Sequence, residues 1–110
     1  MPTPSTLVEL NTKQKQYLKG LAHPLNPYVQ IGKEGLSEST IKTIDAALHH
    51  HELIKVKIGN NSGLEKHHTA ATVAEKTGSN AVQLIGKIIV LYRPNPDKPG
   101  DQRIVLPKTR

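Results

Sequence analysis

Tyr28-Val29-Gln30-Ile31-Gly32-Lys33-Glu34-Gly35-Leu36-Ser37-Glu38 decides the fold of this 110-residue chain. A short apolar run, Tyr28 to Ile31, passes through a Gly-x-x-Gly turn into a helix start. Ser37 is a good N-cap, and Leu36 and Ile41 occupy the N′ and N4 positions of a hydrophobic staple. Glu38 suits the positive end of the helix dipole, and His49-His50-His51 suits the negative end. Ile41, Ile44 and Leu48 keep helical spacing, which gives the helix one core face. A strand entering a helix in this way presents free backbone N–H groups at the positive end of the dipole. That geometry attracts phosphate.

Upstream, Thr12 is placed to cap a helix running to about Ala22, with Tyr17, Leu18 and Leu21 on its apolar side and Lys15 and Lys19 on another. His23-Pro24 ends it, because a residue before proline is pushed out of the helical region. Downstream, Leu53-Ile54-Lys55-Val56-Lys57-Ile58 alternates with period two and predicts a half-buried strand. Ile54, Val56 and Ile58 face the core, and Lys55 and Lys57 face out. Gly59 to Gly63 predicts a flexible loop, and about Leu64 to Thr77 a third helix with Ala70, Val73 and Ala74 inward. Gly78 is placed to end that helix. Ala81–Ile85 and Ile88–Arg93 predict a hairpin through Gly86-Lys87, in a type II′ turn. Pro94, Pro96, Pro99 and Gly100 break regular structure, and Ile104-Val105-Leu106 is a candidate edge strand. The order α-β-α-β-α-β-β predicts a single α/β (α+β) domain with helices packed on a mixed sheet. Residues 1–10 form a mobile lead-in, 11–94 the domain, and 95–110 a Pro-rich basic tail.

Composition bounds the function. Fifteen Lys and Arg against nine Asp and Glu give a formal charge of +6, which favours polyanionic partners. There are three Tyr, no Phe and no Trp, too few rings for a sheet that stacks several bases. Nucleic-acid binding would rest on backbone and shape. No cysteine is present, so a disulfide framework and a Cys-based zinc site are excluded. The three consecutive histidines point about 100° apart on a helix and cannot share one ion. Together with His67-His68 they carry no ligand spacing that demands a metal, so we expect neither metal nor cofactor. Asp45, Glu52, Glu65 and Glu75 are dispersed, and no nucleophile or Walker motif is present, so no enzyme activity is expected. Met1 to Thr6 has no basic n-region and no long apolar run, which leads us to expect a cytoplasmic protein without a signal peptide.

Beyond these local readings the chain resembles a known family. Lys13 to His23 opens like a CRM domain (chloroplast RNA splicing and ribosome maturation), and Ile31-Gly32-Lys33-Glu34-Gly35-Leu36 looks like its Gly-x-x-Gly loop. His50 to Lys57 and Val82 to Arg93 resemble its other signatures, so the likeness runs from about residue 10 to 94. The bacterial stand-alone members of the YhbY type are the most similar. The resemblance implies a fold similar to the C-terminal domain of translation initiation factor three, and it implies RNA as partner. Plant members act in group II intron splicing. The bacterial members are associated with precursors of the large ribosomal subunit, which implies a role on pre-50S particles and their 23S rRNA; we expect the protein to be a monomer. A general RNA chaperone, or a translation-linked binder without a fixed rRNA site, is the alternative. By analogy with KH domains, the resemblance places the RNA surface at Gly32, Lys33, Glu34 and Gly35. Lys15, Lys19, Lys55, Lys57, Lys87 and Arg93 lie in or beside the matched signatures and complete the candidate surface. Glu34 offsets Lys33, so phosphate attraction at the turn falls to its backbone amides. Arg93 offers a fork that can hold phosphate in two places.

Overall fold

The predicted period-two strand is the centre of the sheet. In the computed structural model, which describes residues 10–107, Leu53–Ile58 (β2) pairs in parallel with Val29–Ile31 (β1) and antiparallel with Ile88–Tyr92 (β4). Asn80–Ile85 (β3) completes a mixed sheet of order β1-β2-β4-β3, with a register shift between Ala81 and Gln83. Three helices, Thr12–Ala22 (α1), Glu38–His51 (α2) and Lys66–Thr77 (α3), cover it. The element order is the predicted one, a single α+β domain.

Alternation on β2 sorts the molecule into layers. Ile54, Val56 and Ile58 point to a core completed by Ile44 and Leu48 of α2, Ala70 and Val73 of α3, and Ile89 and Leu91 of β4. Each of the Ile, Leu and Val side chains contributes about 1.5–3 kcal/mol when fully buried. Leu36 and Ile41 both pack against this core. The opposite face is also partly covered. Leu18 and Ala22 of α1 pack there with Leu53, Val82, Val90 and Tyr92, joined by Leu10, Ile104 and Leu106. β2 is therefore buried on both faces over its first half and open on one face over its second.

The boundaries follow their caps. Ser37 caps α2 as predicted, its hydroxyl accepting from the Thr40 N–H. α1 is capped one residue earlier than predicted, by Asn11, in a capping box with Gln14. α3 begins at Lys66 because the Glu65 carboxylate accepts the N–H groups of His67 and His68, at 2.9 and 2.8 Å. Those bonds, the one from His67 first, hold the Glu65 pKa down to about 2. The predicted loop at 59–63 contains a 3-10 turn, Asn60–Ser62. Gly86 sits at φ +58, and Lys87 has no positive φ, the pattern of a type II′ turn.

The tail differs most from expectation. Ile104-Val105-Leu106 forms no strand. Its first N–H donates to the buried Glu52 carboxylate at 2.7 Å, while Ile104 and Leu106 pack on the α1 side. The segment from Asn95 to Pro107 is thus bound into the fold. Most of the expected lead-in (residues 1–9) and the basic end at 108–110 lie outside the described residues.

Candidate nucleic-acid interface

Strand directions bring several loops to one end of the sheet. β1 and β2 end there, at Ile31 and Ile58, where the Gly59 N–H donates to the Ile31 carbonyl. The hairpin turn between β3 and β4 meets them, since the Ile58 N–H donates to the Lys87 carbonyl at 2.8 Å. This end therefore carries the Gly-x-x-Gly turn, the 3-10 turn and Gly86-Lys87 together.

Residues 32–35 form a tight turn closed by a hydrogen bond from the Gly35 N–H to the Gly32 carbonyl, 2.9 Å. Its two glycines play different parts. Gly35 is buried with φ +67, a conformation that suits glycine. Gly32 is exposed, and a Cβ built there meets nothing within 4 Å. The fold makes no such steric demand at Gly32. Closing the turn occupies the Gly35 amide, while the N–H groups of Lys33 and Glu34 carry no hydrogen bond within the described residues. Two residues separate the turn from α2, so these amides stand ahead of the helix terminus.

The cationic residues divide into two groups. Lys33, Lys57 and Lys87 are exposed at the turn end. Lys57 lies in one row across the sheet with Gln30 on β1, Ile88 on β4 and Ile85 on β3, on the face α1 leaves open. Lys87 Nζ donates to Asn60 Oδ1 at 2.9 Å, which steadies the hairpin tip against the 3-10 turn. Lys15 and Lys19 project from one flank of α1, while the flank bearing Gln14 is held to the tail by a bond to the Pro107 carbonyl. The lysine flank of α1 is thus not the one held to the tail.

Lys55 and Arg93 are engaged inside the protein. Lys55 Nζ donates to the carbonyls of His23 and Leu25, at 3.1 and 2.9 Å, closing the segment after α1. Arg93 lies at the other end of the sheet from the turn. Its Nη1 donates to Asp45 Oδ1 and to the Thr77 carbonyl, both at 2.6 Å, and its Nη2 to the Asp45 carbonyl at 3.0 Å. The side chain is only 13% exposed. The fork that sequence reading offers to phosphate instead ties α2 to the end of α3.

Sequence reasoning missed Asn60, whose partner lies 27 residues away. It also missed the structural part of Glu52, which is fully buried at φ +66. A signal for Glu52 exists: a helix that ends directly in a strand favours glycine at its left-handed cap, and the chain has glutamate.

Comparison with known proteins agrees with this architecture. The model of the CRS1/YhbY (CRM) domain matches residues 10–93. A Haemophilus influenzae protein named RNA-binding protein is 45% identical over 102 residues, spanning 93% of this chain and 99% of that one. A Bacillus subtilis protein, named as the probable RNA-binding protein YqeI, is 42% identical over 84 residues, 76% of this chain and 88% of its own. The solution structure of a hypothetical Staphylococcus aureus protein, with RNA binding as its suggested role, superposes with a TM-score of 0.72 at 44% identity. That superposition covers 90% of this chain and 100% of the other. The chain belongs to the CRS1/YhbY (CRM) domain family.

Proposed function

We propose that this protein binds RNA with the turn end of its sheet and acts in large-subunit ribosome assembly, as a cytoplasmic monomer on the 23S rRNA of pre-50S particles. The observation that carries the reading is the meeting of Gly32–Gly35, Lys57 and Lys87 at one end, with unpaired amides at Lys33 and Glu34. Family membership supports it, as do relatives named for RNA binding and not for catalysis.

The turn amides hold one or two backbone phosphates, and Lys33, Lys57 and Lys87 neutralise their neighbours. Lys15 and Lys19 extend the contact along α1. Lys55 and Arg93 serve by fixing the scaffold. Such a surface positions RNA without performing chemistry on it.

Replacing Lys33 and Glu34 together by Asp tests the turn. Repulsion of phosphate from two adjacent carboxylates is expected to weaken RNA binding roughly tenfold or more, with the melting temperature unchanged. Unaltered affinity in a folded variant removes the turn from the interface. The assembly role is tested by sedimenting cell lysates on a sucrose gradient. The account expects co-migration with pre-50S particles, lost at high salt. A protein found only at the top of the gradient, yet binding RNA in isolation, would favour the general chaperone reading.

A further inference from the structure

A groove of about 740 Å³ lies between the outer face of α2 and the segment that enters β1. Its α2 wall carries Glu38, Lys42, Ala46, Ala47 and His50, and Tyr28 closes it from the other side. From Glu38 to His50 this stripe is about 18 Å long at 1.5 Å per residue. One end begins where the Gly32–Gly35 turn feeds into α2, and the other reaches Tyr28.

The far end is built around rings. Tyr28 is 60% exposed, although its backbone is held at the entry to β1 by its N–H bond to the Lys55 carbonyl. Its ring meets His51 edge-on, with centroids 4.9 Å apart and planes at 63°. His51 meets His50 in the same manner, at 5.2 Å and 89°. The His51 contact sets the direction of the tyrosine while leaving much of the ring in solvent. The small side chains of Ala46 and Ala47 leave room on the helix for a flat group. Lys42 supplies positive charge midway, and Glu38 is the one carboxylate on the wall.

We propose that this groove is a subsite for single-stranded RNA in which one unpaired base stacks on Tyr28, beside His51. The inference rests on the RNA-binding reading above and adds to it the form of RNA taken and a residue that selects it. Phosphates held at the turn lead the strand along α2, past Lys42, to the ring. A duplex keeps its base faces inside and gives Tyr28 nothing to stack on. The scarcity of rings rules out a platform and leaves room for this single stacking position.

The test measures fluorescence anisotropy with a labelled oligouridine and a labelled RNA duplex, using wild type, Tyr28→Phe and Tyr28→Ala. Loss of one stack is expected to weaken oligouridine binding by Tyr28→Ala about 5- to 150-fold, with Tyr28→Phe close to wild type. Duplex binding should stay within about twofold for all three, because no base face is available there. Tyr28→Trp gives a second readout, since the chain has no tryptophan of its own. Its fluorescence should be quenched by oligouridine and not by duplex, a result that stands even where Tyr28→Ala folds poorly. Oligouridine affinity unchanged in a folded Tyr28→Ala, or equal quenching by both RNAs, overturns the subsite and leaves RNA binding intact. Failure of the wild type to bind either RNA overturns both readings.

Discussion

Replacing Glu52 by Ala is expected to lower the melting temperature by roughly 10–20 °C, a loss of about 3 kcal/mol. Glu52 is 0% exposed and accepts two backbone N–H groups, that of Asn95 at 2.6 Å and that of Ile104 at 2.7 Å. Its own N–H closes α2 on the Leu48 carbonyl, and its carbonyl accepts from the Arg93 N–H, each at 2.8 Å. One residue thus joins the end of α2, the start of β2, the end of β4 and the tail. The alanine side chain leaves both donors without an acceptor, at about 1–3 kcal/mol each, partly offset because a carboxylate no longer has to be buried. Arg103 adds little, since it is 37% exposed and its Nε stands 4.0 Å from the carboxylate. Gln in place of Glu keeps one acceptor and is expected to lose about half as much. Thermal unfolding followed by circular dichroism checks the series, and a melting point unmoved by Ala would show that the tail is not held by this carboxylate.

Reversing Lys57 and Lys87 together to Glu is expected to weaken RNA binding about 100-fold at roughly 0.1 M salt, through loss of two charge-assisted phosphate contacts. The slope of log affinity against log salt should fall by about 1.8 on a duplex and by less on a single strand. Both side chains are exposed, so stability should change little. Lys87 gives up its bond to Asn60, a surface contact of small worth. Reversal of Lys76, exposed in the last turn of α3 at the far end of the sheet, serves as the control. It changes the net charge by two where the double reversal changes it by four, so a loss half as large in log affinity at Lys76 would mean that net charge and not this surface drives binding.

What the sequence revealed was local. Ser37, Leu36 and Ile41 lie within five residues of one another, so cap and staple could be read before the fold was known. Period two on β2 revealed its core face for the same reason. What stayed hidden was set by distant partners. Arg93 reads as a free fork because Asp45 stands 48 residues away and Thr77 16 residues away. Lys55 reads as solvated because its acceptors are 32 and 30 residues off. Ile104-Val105-Leu106 has the branched composition of a strand, but a buried carboxylate 52 residues distant takes its first N–H. In the candidate interface the turn was legible as a motif. Its association with Lys57 and Lys87, and the groove that leads from it to Tyr28, depend on how the strands are ordered.

Amide chemical-shift mapping by NMR during titration with single-stranded RNA tests the central claim most directly. The account predicts the largest shifts at Gly32–Gly35, Lys57 and Gly86-Lys87, continuing along α2 to Tyr28 and His51. Shifts confined to the other end, at Thr77–Asn80, Arg93–Asn95 and the tail, would contradict it.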